Sequence, residues 1–280
     1  TIALTVSGAV YFVGGEFGSI SADLATGKFN TTGVDYADAN AEVLTIDTVS
    51  ATLDVGIDVR SISIVGLDGV INGFATFGGN FAFEQVVGGN IEVVASEAYV
   101  RVIAGDYEAG VTDGMLAMRL TPDTTIALTV SGAVYFVGGE FGSISATLAT
   151  GKFNTTGVDY SDANAEVLTI DTVSATLDVG IDVRSISIVG LDGVINGFAT
   201  FGGNFAFEQI VGGNIEVVAS EAYVRVVAGE YEAGVTDGML AMRLTPDTTI
   251  ALTVSGAVYF VGGEFGSISA DLATGKFNTT

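Results

Sequence analysis

The stretch Thr1-Ile-Ala-Leu-Thr-Val-Ser-Gly-Ala-Val-Tyr-Phe-Val13 decides the fold class. Small or polar residues separate its large apolar side chains, which are Ile2, Leu4, Val6, Val10 and Phe12. A period of two places one set of side chains on one face of a β-strand, and a helical period fits poorly. The opening of the chain therefore predicts a strand.

The same stretch returns at Thr125 and again at Thr249, which fixes a period of 124 residues. The chain thus holds two copies, residues 1–124 and 125–248, and part of a third, residues 249–280. The two full copies differ at five positions: Asp23/Thr147, Ala37/Ser161, Val86/Ile210, Ile103/Val227 and Asp106/Glu230. Only a short Pro-Asp turn lies at the junction, so we expect the copies to abut directly.

Apolar and polar residues alternate again from Val49 to Val59. Near Arg60 the apolar positions shift by one residue, which indicates a bend or bulge. Turn signals recur at short spacing: Gly14-Gly15, Asp68-Gly69, Asn72-Gly73, Gly78-Gly79-Asn80, Gly88-Gly89-Asn90 and Asp113-Gly114. Many short strands predict an all-β fold. We favour a continuous β-solenoid-like rod built from the 124-residue repeats, and tandem antiparallel β-sandwich modules are the alternative.

The composition argues against several classes of function. The chain has no Cys, His or Trp, so it lacks thiol nucleophiles and the commonest general base. With 33 acidic and 9 basic residues its formal charge is −24, which opposes nucleic-acid binding. No uninterrupted apolar run reaches about 18 residues, so we expect no transmembrane helix. We expect a protein that is not an enzyme.

One acidic segment in each copy could bind a metal ion. Its oxygen donors are Asp35, Asp38, Asn40 and Glu42 in the first copy and Asp159, Asp162, Asn164 and Glu166 in the second. Hard oxygen ligands suit Ca²⁺, although the spacing is not that of an EF-hand. An ordinary solvated acidic loop is the alternative. We expect no required cofactor, with Ca²⁺ as the candidate ion.

Asn30-Thr31-Thr32 matches the acceptor sequence for N-glycosylation. The triplet precedes Gly33 and is therefore expected to be exposed. It recurs with the repeat, so the possible glycosylation sites are Asn30, Asn154 and Asn278.

Phrases such as Asn-Thr-Thr-Gly-Val-Asp-Tyr36 and Ile-Asn-Gly-Phe-Ala-Thr-Phe-Gly-Gly-Asn-Phe-Ala-Phe83 resemble the giant tandem-repeat surface proteins of environmental bacteria. This resemblance to adhesin-like proteins implies an extracellular or cell-surface location with fibrous or adhesive roles, and it implies no site residues.

Two functions follow as expectations. The first is a structural filament or stalk, whose partners are neighbouring repeats and other copies of itself, because an array of near-identical modules extends length or multiplies valency. The alternative is a multivalent adhesin or carbohydrate-binding array that meets glycans or other cell surfaces. That alternative would use exposed aromatic residues such as Tyr11, Tyr36 and Tyr99.

Overall fold

The computed structural model describes residues 1–279, and within them the fold is all-β without any α-helix. The first copy contributes β1 (Ala3–Val13), β2 (Gly18–Asn30), β3 (Glu42–Ile46), β4 (Val49–Leu53), β5 (Val59–Ile71), β6 (Ala75–Val86), β7 (Ile91–Ala104) and β8 (Tyr107–Leu120). The second contributes β9 (Ile126–Gly138), β10 (Gly142–Asn154), β11 (Glu166–Ile170), β12 (Val173–Leu177), β13 (Val183–Ile195), β14 (Ala199–Ile210), β15 (Ile215–Ala228) and β16 (Tyr231–Leu244). The partial copy contributes β17 (Ile250–Gly262) and β18 (Ser267–Asn278).

Short 3₁₀ turns separate some of these strands, at Gly15–Phe17, Asp38–Asn40, Gly139–Phe141, Asp162–Asn164 and Gly263–Phe265.

Fourteen strands form one antiparallel sheet in the order β1-β2-β5-β6-β7-β8-β9-β10-β13-β14-β15-β16-β17-β18. The strands that this order omits pair as two separate hairpins, β3 with β4 and β11 with β12. The all-β prediction is confirmed. Neighbouring strands of the sheet pair antiparallel, an arrangement different from the stacked coils of a solenoid, so the solenoid-like prediction is not confirmed.

Three of the predicted turns lie inside long strands instead. Asp68-Gly69 belongs to β5, Gly78-Gly79-Asn80 to β6 and Asp113-Gly114 to β8. At two of these positions the backbone has a positive φ, 125° at Gly79 and 53° at Asp113, and the equivalent strands of the second copy shift register there. Asp68 and Gly69 pair regularly with β6. A residue with positive φ serves a β-bulge as readily as a turn, so glycine-rich signals overestimate the number of turns.

The chain divides into two compact units. One contains Thr1–Arg101, Thr112–Val130 and Asn154–Gly180, and the other contains Val102–Val111, Ser131–Phe153 and Ile181–Thr280. In the first unit the largest fully buried side chains include four of the second copy: Ile170, Val173, Leu177 and Val179. The second unit contains the meander from β13 to β18, whose neighbouring strands pair in register apart from local bulges.

Candidate functional site

Internal hydrogen bonds hold the acidic segment of each copy in one short turn. Asp35 accepts hydrogen bonds from the Ala37 backbone N–H at 3.0 Å and from the Asn40 side chain at 3.3 Å. The Asp38 backbone N–H donates to Asp54 at 3.2 Å. Bonds from the Ser161 hydroxyl and backbone N–H, opposed by slight burial, lower the pKa of the equivalent Asp159. In the second copy the turn therefore favours the charged form of Asp159.

The fourth predicted metal ligand has different surroundings in the two copies. Glu42 is exposed at the start of β3, whereas a carboxylate oxygen of Glu166 lies 2.6 Å from an Arg119 guanidinium nitrogen. Within residues 1–279 no group of three or more acidic side chains is placed to hold a metal ion. Calcium binding by Asp35, Asp38, Asn40 and Glu42 and by Asp159, Asp162, Asn164 and Glu166 stays a prediction.

The asparagines of the predicted glycosylation sites are structural in both full copies. Asn30 and Asn154 are fully buried, so their expected exposure is wrong. The Asn154 amide nitrogen donates to the carbonyls of Val158 at 2.7 Å and Gly180 at 2.9 Å, and its oxygen accepts from the Thr156 backbone and hydroxyl. Asn30 makes the equivalent bonds. Only Asn278, in β18, is exposed, and glycosylation there stays a prediction.

Asn154→Ala is expected to lower the free energy of unfolding by about 2–4 kcal/mol, because it leaves buried backbone groups without hydrogen-bond partners. Urea unfolding followed by circular dichroism measures the change. The side chain of the exposed Asn164 makes one long hydrogen bond of 3.3 Å, so Asn164→Ala, the control, should cost less than about 0.5 kcal/mol. Equal effects of the two substitutions would show that the buried amide does not anchor this loop.

The two short hairpins have the same sequence and opposite burial. We call β3–β4, residues 42–53, the first hairpin and β11–β12, residues 166–177, the second hairpin. Ile46 is 79% exposed in the first hairpin, and its counterpart Ile170 is 1% exposed in the second. Leu44 and Val49 are likewise exposed, whereas their counterparts Leu168 and Val173 are buried. The burial of these identical residues therefore differs because different surroundings lie against the two hairpins.

The second hairpin is buried because it lies against strands of the first copy. Both of its strands contact β6, and the Ser63 hydroxyl of β5 donates to Asp171 at the hairpin turn at 2.6 Å. We call this surface of the first copy the covered face; its buried members are Ser61, Ser63, Ala82, Val94 and Ala117. Small side chains predominate on it, which lets the large aliphatic residues of the hairpin approach closely.

Lys28 joins carboxylates from consecutive copies. Its ammonium nitrogen lies 2.7 Å from Asp171 of the second copy and 3.0 Å from Asp54 of its own copy. Partial burial alone would lower the pKa of Lys28, but the hydrogen bonds to Asp171 and Asp54 outweigh it and raise the pKa. The lysine therefore remains charged and fixes the tip of the second hairpin.

Arg119 of β8 holds the start of the second hairpin. Its guanidinium contacts Glu92 at 2.8 Å and Glu166 at 2.6 Å, and it lies over the ring of the buried Tyr160 at 5.5 Å. Burial acts to lower the pKa of Arg119, and hydrogen bonds to Tyr160, Glu166 and Glu92 raise it overall. Its second-copy counterpart, Arg243, contacts Glu216, and its side chain is 58% exposed against 15% for Arg119. The contact with the next copy thus buries the arginine.

A polar groove of about 1,090 Å³ lies within the first unit, lined by Lys28, Asp54, Glu84 and Asp171 among others. Burial, followed by the charges of Glu92 and Asp171, raises the pKa of Glu84 against the opposing effect of Lys28. The Glu84 carboxyl in this groove is therefore harder to ionise in the folded state than in the unfolded state.

Glu84→Gln is expected to stabilise the protein at pH 7. A carboxyl whose folded pKa lies above its unfolded value costs stability when ionised, and this cost disappears as the pH falls through the folded pKa. The gain should therefore be present at pH 7 and absent below pH 4.5, the ordinary value for glutamate. Thermal unfolding across this pH range measures it. Glu208→Gln, at the exposed second-copy counterpart, is the control; a gain of equal size there would contradict the explanation.

The tyrosines that an adhesin could use are partly engaged in packing. A side chain at Gly78 would meet the Tyr99 ring at 2.7 Å, and the Tyr99 hydroxyl donates to Asp68 at 2.5 Å. The hydrogen bond to Asp68, followed by burial, raises the pKa of Tyr99. Tyr36 is half-buried and Tyr11 is 83% exposed. These positions do not form one repeated set of exposed rings.

No protein-family model, curated protein or solved structure matches this chain. Among residues 1–279 no helix is long and apolar enough to cross a membrane. The contact between the second hairpin and the covered face is the structural feature that bears most directly on function.

Proposed function

We propose that this chain is a structural protein, a segment of a long extracellular or cell-surface fibre or stalk, and that it has no catalytic role. One observation carries the proposal: a hairpin of one copy is buried against strands of the copy before it. Repeated along an array of copies, such a contact would join each module to its neighbour and resist bending at the junction.

The distribution of charge supports the same role. A copy contains four basic residues, and two of those in the first copy, Lys28 and Arg119, bind acids of the second copy. The formal net charge of −24 favours solubility and opposes lateral aggregation. Half of the basic residues of the first copy thus lie at its contact with the second.

The adhesin or carbohydrate-binding alternative lacks an equivalent support. It requires the same exposed aromatic surface on every copy, and Tyr99 is bonded to Asp68 and packed over Gly78. We therefore favour the fibre. The same proposal includes a location outside the cell and the resemblance to tandem-repeat surface proteins.

The proposal predicts how particle length depends on the number of copies. Each copy adds six strands to the sheet. With neighbouring strands about 4.8 Å apart, each further copy should lengthen a stiff particle by about 30 Å. Small-angle X-ray scattering of chains extended by one, two and three copies measures the maximum dimension. A length that grows with the cube root of mass, or hydrolytic turnover by the purified chain, would contradict the proposal.

A further inference from the structure

The first hairpin presents the same apolar surface as the second hairpin and leaves it uncovered. Leu44, Ile46 and Val49 are 51%, 79% and 73% exposed, and together they form one side of a small two-stranded unit. Val43, whose side chain alternates to the opposite side, is exposed, and so is its second-copy counterpart Val167 at 65%. Contact with the neighbouring copy therefore buries one side of the hairpin and leaves the other in solvent.

The surface that receives a hairpin is also present, uncovered, on the second copy. The counterparts of Val94 and Ala117 are Val218 and Ala241, and both are exposed, Val218 at 48%. They line an open groove of about 590 Å³ with Glu216 and Arg243. In the first copy Val94 and Ala117 are fully buried, and the equivalent arginine, Arg119, pairs with Glu92 and with Glu166 of the second hairpin. The exposed side of the first hairpin and the open groove of the second copy thus correspond to the two partners in the contact between the second hairpin and the covered face.

We propose that the first hairpin is a docking surface for a further copy of this repeat. It would bind the surface of that copy that is equivalent to the covered face. Ile46, Leu44 and Val49 would pack against small residues equivalent to Ser63, Ala82 and Ala117. Glu42 would meet the arginine equivalent to Arg119, and Asp47 the lysine and serine equivalent to Lys28 and Ser63. The second hairpin makes each of these polar contacts through Glu166 and Asp171.

Charge favours this occupant over an unrelated acidic protein. The first hairpin carries Glu42 and Asp47, which form no ion pair within residues 1–279, and the covered face of a repeat supplies a lysine and an arginine at the matching positions. Burial of carboxylates is stable only when cations accompany them. The inference rests on the fibre function proposed above and identifies the element that joins modules.

The test uses a chain in which one more copy, residues 1–124, is fused ahead of the complete 280-residue chain, with the original numbering kept. Because the protein has no cysteine, a single Ile46→Cys substitution gives one reporter thiol, whose reaction with a maleimide depends on its exposure. We expect the thiol to react at least tenfold more slowly in the extended chain than in the 280-residue chain. Val43→Cys, on the opposite side of the same hairpin, should react equally fast in both.

Ile170→Cys in the 280-residue chain separates this inference from the proposed function. If the Ile170→Cys thiol reacts slowly while the Ile46→Cys thiol reacts at equal rates in both chains, the docking of the first hairpin is overturned and the contact between the existing copies stays intact. A fast reaction of the Ile170→Cys thiol would instead remove the observation on which the fibre proposal rests. Slowing of the Val43→Cys reaction together with that of Ile46→Cys would also contradict the proposal, because it would indicate general occlusion instead of one docked side.

Discussion

Ile170→Ala is expected to lower the free energy of unfolding by about 2–5 kcal/mol, and Ile46→Ala by less than about 0.5 kcal/mol. Both substitutions remove the same atoms from the same local sequence. Ile170 is 1% exposed beneath its neighbours and Ile46 is 79% exposed, so only Ile170→Ala leaves a cavity in a packed interior. The difference between them isolates the contribution of the contact between copies.

Chemical denaturation of the two variants and the unsubstituted chain measures this difference, with hydrogen exchange to detect opening of the hairpin alone. If Ile46→Ala destabilises as much as Ile170→Ala, the first hairpin is buried in solution and the asymmetry between hairpins is wrong. If neither substitution has an effect, the second hairpin does not contribute to stability.

Gly142→Ala is expected to destabilise the protein by more than about 3 kcal/mol, since it combines a backbone conformation that only glycine adopts readily with a direct clash. Gly142 has φ 130° and ψ −162°, and a Cβ atom there would lie 1.9 Å from the backbone oxygen of Val194 in the adjacent strand. That oxygen belongs to a paired strand, so relief requires separating β10 from β13.

Gly157→Ala is the matched control for this substitution. Gly157 also has a positive φ, 72°, but a Cβ atom there meets no other atom within 4 Å. Its cost should stay near 1–2 kcal/mol, roughly the ordinary penalty for a left-handed alanine. Thermal and urea unfolding compare the two variants, and equal losses would show that the close approach of β10 and β13 is not the cause.

Period-two alternation was sufficient to predict the fold class, because residues such as Ile2, Leu4 and Val6 leave no helical interpretation. It was not sufficient to place every strand boundary. The alternation from Val49 to Val59 reads as one strand, yet β4 ends at Leu53 and β5 begins at Val59, with a turn at Asp58 where φ is 56°. The alternation of apolar and polar residues continues through this turn, so it does not mark where one strand ends and the next begins.

The contact between copies could not be predicted from the sequence. The segment containing Ile46 is identical to the segment containing Ile170, and no local rule distinguishes the exposed hairpin from the buried one. A signal was nevertheless present, since a short hairpin with large aliphatic side chains and neighbouring strands rich in Ala and Ser are complementary surfaces. Their pairing depends on tertiary structure, as does the burial of Asn30, whose partner Gly56 lies 26 residues away.

Hydrogen–deuterium exchange of the two hairpins in the 280-residue chain tests the central claim most directly. Peptides that span residues 37–53 and 161–177 differ only at Ala37 and Ser161, so mass spectrometry distinguishes two otherwise identical sequences. If the second hairpin is held against the first copy, the 161–177 peptide exchanges much more slowly than the 37–53 peptide. Equal exchange rates in the two peptides would contradict the claim that a hairpin of one copy is fixed on the copy before it.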